Sequence, residues 1–229
     1  MDAIKVFCPN VFAYSQKLID SLLATWSMFY ISGIFIVVIG LILGVVIVVT
    51  KKGAIMENIL VYEIVDKIVS IFRSIPFVIL LIFLIPFTRF VVGTAIGVKG
   101  AIIPLIMGAV PFFTRQVEAA LSKIEQGKID AAKAMGSSNI GIIFRIYLQE
   151  SVPDIARAIT ITAISLMGLT TMAGAVGAGG IGSFAINYGQ NLHHQDIVNV
   201  SVIILLIVVC IIQGVGNYIA SRTTNHKLF

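Results

Sequence analysis

Residues that could do covalent chemistry are scarce in this chain, and those present are poorly spaced for it. His193 and His194 are adjacent, so they cannot share one helical face, and a metal site needs more ligands at productive spacing. Cys8 and Cys210 lie far apart and match neither a metal-ligand pattern nor a disulfide framework. No Ser-His-Asp arrangement or carboxylate pair stands out. There is no G-x-x-x-x-G-K-[ST] loop, so the chain cannot hydrolyse ATP itself. Gly177-Ala-Gly-Gly-Ile-Gly182 does fit G-x-G-x-x-G, but it follows an apolar run rather than a strand and belongs to no βαβ unit. It is not a dinucleotide site. Gly177, Gly179 and Gly180 instead allow two readings, close helix packing through small residues or a break in a helix beside a transport pathway. Arg73, in an apolar stretch, is either an interfacial anchor or a pathway residue.

The elements that must position these residues are membrane helices. Of 229 residues, 58% are hydrophobic and 12% charged, where ordinary soluble domains carry roughly 25% charged residues. A soluble globule of this composition would expose large apolar patches. A soluble enzyme, a disordered chain and a secreted disulfide scaffold are therefore excluded. The net charge of +5 orients the chain in a lipid bilayer rather than pointing to nucleic acid.

The gaps between charges mark the spans. Ser21–Thr50 has no charged residue and forms an uncleaved first span. Ile68–Thr88 is the second, interrupted by Arg73 and kinked at Pro76 and Pro86. Gly100–Thr114 is the third and borrows residues past Lys99 or Arg115. The fourth begins after Arg157, and Ser183–Gln195 reads as a polar loop before the fifth, Ile197–Ser221. The expectation is an all-α bundle of five transmembrane helices. With the N-terminus outside and the C-terminus inside, only Lys5, Lys17, Arg89 and Lys99 of the 16 Lys and Arg residues face outward. The reverse orientation violates the positive-inside rule. Residues 1–20 are then an extracytoplasmic segment, 21–216 the transmembrane domain and 217–229 a cytoplasmic tail.

One cytoplasmic connection, about 118–154, is far longer than a turn. In it, Asp130–Met135 favours a helix, with Asp130 near the positive N-terminal end. Gly136 stops that helix, and Ser138 or Asn139 can cap a second one running toward Leu148. Ala131, Ala132 and Ala134 are small enough to let another surface approach. Glu118 and Glu125 look solvated. A plain amphipathic connector would show the same periodicity.

Asp130-Ala131-Ala132, Gly136, Ile146 and Leu148 resemble the EAA loop of binding-protein-dependent ABC importers of type I. Asp130 stands where that pattern has glutamate, and Gln149 where it has proline. Ile71-Phe-Arg-Ser-Ile-Pro-Phe77, Ile85-Pro-Phe-Thr-Arg89, Val92-Gly-Thr94, Ala131-Ala-Lys-Ala-Met-Gly136 and Gly174-Ala-Val-Gly-Ala-Gly-Gly-Ile-Gly182 are similar to the methionine-importer permease branch, over roughly residues 21–216. The resemblance implies a multi-pass permease of the bacterial inner membrane, working as a homodimer. It implies two ABC ATPase subunits that bind ATP and Mg, an extracytoplasmic methionine-binding lipoprotein, and methionine of both hands as cargo. No cofactor is expected on this chain. The six EAA-type residues would be the ATPase-coupling residues. A permease for another small amino acid is the nearest alternative. An ion-coupled carrier would show internal repeats and midplane ionisable groups, and an intramembrane enzyme would need a buried nucleophile and base.

Overall fold

A computed structural model describes residues 8–225, and every regular element among them is helical. Lys5 and Lys227, counted above for orientation, lie outside the described residues. In chain order the helices are α1 (Pro9–Ala13), α2 (Ser15–Thr50), α3 (Ile59–Ser74), α4 (Phe77–Phe83), α5 (Ile85–Val92), α6 (Gly97–Leu121), α7 (Gln126–Ala134), α8 (Asn139–Ile142), α9 (Val152–Ala173), α10 (Gly180–Phe184) and α11 (Gln195–Asn225). Ile143–Leu148, Gly174–Ala178 and Ala185–Gln190 wind more widely, as π-helix.

Among the described residues, four helical stretches are long and apolar enough to cross a bilayer, Ser15–Thr50, Gly97–Leu121, Val152–Ala178 and Gln195–Thr223. The stretch expected as the second span is divided among α3, α4 and α5. Proline explains the division. Pro76 lacks an amide hydrogen and pushes Ile75 out of the helical region, so α3 stops at Ser74. Pro86 sits in the first turn of α5, where its missing donor costs nothing. The third expected stretch borrows on both sides, past Lys99 and past Arg115. The Ser183–Gln195 loop is a correction: α10 and the wide turns after it keep the chain helical to Gln190. The polar side chains there bond within the helix, as Asn187 Nδ2 does to Ser183 Oγ at 2.9 Å, while Phe184 and Gly189 are buried.

The chain forms two compact units. The first contains the residues up to Ile34, Ile75–Gly108 and Ala163–Ile212; the second contains Phe35–Ser74, Ala109–Thr162 and the residues from Gln213. In the first, the Asn10 backbone amide and Nδ2 both donate to the Asp196 carboxylate at 3.0 Å, tying α1 to the start of α11. Tyr14 packs on Tyr188 with centroids 4.9 Å apart. In the second, Gly40 and Gly44 form a small-xxx-small face on α2. A Cβ at Gly40 would stand 2.6 Å from Phe113 Cδ1, and one at Gly44 would stand 2.7 Å from Val117 Cβ, so these glycines are what lets α2 lie against α6. Gly216 of α11 meets Thr160 of α9 in the same way.

Candidate coupling surface and pathway break

The long connection folds as a helical hairpin within the second unit. Helix α7 begins at Gln126, four residues before Asp130, because the apolar Ile129 and Ala132 turn inward together and need the preceding turn to hold them. Asp130 is therefore in mid-helix rather than at the positive end. It is exposed and accepts a hydrogen bond from Gln126 Nε2 at 3.0 Å. Of the expected small docking residues, Ala131 and Ala134 are exposed and Ala132 is 2% exposed, so Ala132 serves the hairpin's own packing.

The turn after α7 is closed by two backbone bonds. The Gly136 amide donates to the Lys133 carbonyl at 2.9 Å and the Ser137 amide to the Ala132 carbonyl at 3.0 Å, the Schellman pattern. Gly136 holds φ +79°, which explains the glycine, and nothing lies within 4 Å of where a Cβ would be. Between the two caps foreseen, Ser138 is the one used: its Oγ accepts from the Gly141 amide at 3.1 Å. The chain then runs helically through Ile146 and Leu148, both half-buried, with Tyr147 buried between them. Burial pushes the Tyr147 phenol above its usual range, so it stays neutral. Gln149, in place of the motif proline, keeps helical angles, and the turn waits until Ser151.

Two ion pairs pin the hairpin's base. Lys123 Nζ lies 2.8 Å from Asp154, and Lys128 Nζ lies 3.0 Å from Glu150. Between them is a groove of about 140 Å³. The hydrogen bond from Lys128 to Glu150, and then their mutual attraction, raise the lysine's pKa. Sequence reasoning missed these pairs, although opposite charges at matching distances from a turn were a usable signal. It also missed the apolar tip. Met135, Ile140 and Phe144 are 78%, 64% and 64% exposed. Large apolar side chains left in water on an otherwise polar hairpin mark a surface awaiting a partner. Glu118, expected to be solvated, is half-buried and pairs with Arg115 at 2.7 Å.

The glycine run lies in the first unit, and it both interrupts the helix and packs closely, at different positions. Gly177, Gly179 and Gly180 hold φ of +98°, +82° and +81°, and they break the helix. With ψ of −161°, Gly179 occupies a region essentially closed to other residues. Gly174 and Gly182 instead provide close packing. A Cβ at Gly174 would meet the Gly179 carbonyl oxygen at 2.7 Å, and one at Gly182 would collide with the Thr171 backbone. The restarted helix α10 is capped from a distance: the Ile181 amide donates to Thr25 Oγ1 at 2.9 Å, and that hydroxyl donates to the Ser21 carbonyl. Arg73 is exposed in the last turn of α3, where its charge suits the helix C-terminus. Neither unit gathers three His, Cys, Asp or Glu side chains around a metal-sized site among the described residues.

The model of the binding-protein-dependent transport system inner membrane component family matches residues 36–224. The probable D-methionine transport system permease protein MetI of Pasteurella multocida is 43% identical over 88% of this chain and 93% of its own length. The methionine import system permease protein MetP of Bacillus subtilis is 43% identical over 75% of this chain and 78% of its own. A solved chain of the MetNI methionine ABC transporter, in inward facing conformations, superposes with a TM-score of 0.89 at 43% identity, covering 92% of this chain and 98% of that one.

Proposed function

This chain belongs to the family of binding-protein-dependent transport system inner membrane components, and we propose that it is the permease of an ATP-driven methionine importer. It is a membrane transport subunit and not an enzyme; permeases of this kind work with separate ATPase subunits. The observation that carries the reading is the hairpin, an apolar tip on an ion-paired base, in a chain with no nucleotide loop of its own. The cargo is methionine, L or D, in keeping with the names of its relatives.

In this proposal two copies of the chain pair with two ATPases carrying ATP and Mg, and an extracytoplasmic lipoprotein delivers the cargo. The chain crosses the membrane five times, N-terminus out and C-terminus in, with α4 and α5 supplying the second crossing. Residues 1–20, 21–216 and 217–229 are the outer segment, the transmembrane domain and the inner tail. Asp130, Ala131, Ala132, Gly136, Ile146 and Leu148 form the coupling segment, with Met135, Ile140 and Phe144 as its apolar contacts. Gly177, Gly179 and Gly180 form the gate in the pathway, with Arg73 as a further pathway candidate. Closure of the ATPases on ATP moves the hairpins and switches the bundle from inward-facing to outward-facing. Such a switch requires the ATPases to bind the two states with different affinity.

The test is uptake of labelled methionine into vesicles holding the purified permease–ATPase complex and its binding protein. ATP-dependent uptake supports the proposal. Uptake that persists without the ATPase would favour an ion-coupled carrier, and uptake of a different amino acid in preference would reassign the cargo.

A further inference from the structure

Arg115 gathers a charge cluster within the second unit. Its guanidinium lies 2.6 Å from the Asp66 carboxylate and 2.7 Å from Glu118, and donates to Ser70 Oγ at 2.7 Å and to the Asp66 carbonyl at 3.3 Å. The Arg115 side chain is only 21% exposed, and those of Asp66 and Glu118 are 31% and 27% exposed. Asp66 and Ser70 are one helical turn apart, so α3 presents both to Arg115 on one face. Its Glu63–Lys67 pair is exposed.

Stability alone does not call for this cluster. Apolar residues of similar volume often hold two helices as well or better, because half-buried charges are costly to desolvate. What the cluster adds is a directional, multi-point contact that fixes one helix against another. Chain order shows which helices need it. Helix α6 runs through 122–125 straight into the coupling hairpin, whereas α3 is separated from α6 in sequence by α4 and α5. Between α3 and α6 the cluster is a direct side-chain tie. We infer that Arg115 is a positioning residue for transport: it fastens α3 to the helix that carries the hairpin, so that hairpin displacement is delivered to α3 and to the break at Pro76 that follows it. The inference rests on the coupling reading above.

The cluster contains its own control. Asp66 and Glu118 approach Arg115 at nearly the same distance with similar exposure, yet of the two carboxylates Asp66 reaches it from another helix, beside Ser70, whereas Glu118 lies three residues along α6 itself. Each can lose its charge while Arg115 keeps a carboxylate partner. The experiment measures methionine moved per ATP hydrolysed, in vesicles carrying the full complex, for Asp66→Asn, Glu118→Gln and Gly136→Asp. Asp66→Asn should lower the ratio by roughly threefold to tenfold, in the range seen when residues along a coupling route are altered. Glu118→Gln should stay near the unmodified ratio. Equal effects of the two, no effect of Asp66→Asn, or failure of Asp66→Asn to assemble would assign the cluster to structure alone and overturn the inference. An unchanged ratio in Gly136→Asp would overturn the hairpin reading and this inference with it. If only Asp66→Asn is unchanged, the tie fails and the hairpin reading stands.

Discussion

The hairpin at 126–150 and the glycine break at 174–182 are both interruptions of a helical chain, and they are held in opposite ways. The hairpin is held by side chains and caps: Ser138 at the second helix, the Gly136 turn, and the Lys123–Asp154 and Lys128–Glu150 pairs at the base. Its tip is open and carries the exposed apolar Met135, Ile140 and Phe144. The break is held by backbone angles that only glycine adopts freely and by a buried threonine on another helix. On the proposed reading the hairpin moves as one body with a partner, whereas the break is a turn that only glycine holds without strain and that a transport cycle could use as a hinge. This difference predicts that single substitutions at the break are severe and local, while those at the hairpin grade with what they remove.

The largest effect should come from Gly179→Leu. A side chain there forces a backbone region costing about 1–3 kcal/mol, so methionine uptake should be abolished while the complex still co-purifies with its ATPase. Unchanged uptake would remove the gate from the account. Thr25→Val comes next. It keeps the shape but leaves the buried Ile181 amide without its acceptor, at about 1–3 kcal/mol; thermal unfolding of the purified permease should fall accordingly, and an unchanged midpoint would show that the restarted helix needs no cap.

At the hairpin, Phe144→Ser should weaken ATPase binding about tenfold, the order expected for losing one apolar anchor. Titration of the ATPase onto the permease in vesicles would show it, and wild-type affinity would place the contact elsewhere. The smallest effect belongs to Lys128. The raised lysine pKa means the pair with Glu150 contributes fully below the ordinary value of 10.5 and loses its contribution as pH climbs through the raised value. Hairpin protection from proteolysis should be flat around neutral pH and weaken only in strong alkali, with Lys128→Gln showing no alkaline step. Because the pair is exposed, the change should be slight.

Much of the hairpin was legible because its signals are local. A glycine after a helix-favouring run and a serine before the next one are each read within a few residues, and both hold the positions expected of them. Where α7 begins was less legible, since Ile129 and Ala132 turn inward for tertiary reasons that the acidic Asp130 masks. The break was half legible: a glycine run announces unusual backbone, but which glycines turn and which pack depends on Thr171, Ser183 and Thr25, distant in sequence or facing across a turn. The divided second span followed from Pro76, which the apolar pattern alone runs past. The Arg115 cluster was out of reach, because a cation at the end of an apolar stretch reads the same whether it is solvated or tied to another helix.

The most direct test of coupling is the ratio of methionine imported to ATP hydrolysed by the Gly136→Asp complex in vesicles. The space around Gly136 admits the side chain but its φ of +79° strains any residue other than glycine, so the change should fall on the turn and the partner-facing surface while the rest of the hairpin stays folded. The account predicts continued ATP hydrolysis with uptake lost. A wild-type ratio in that variant would contradict it.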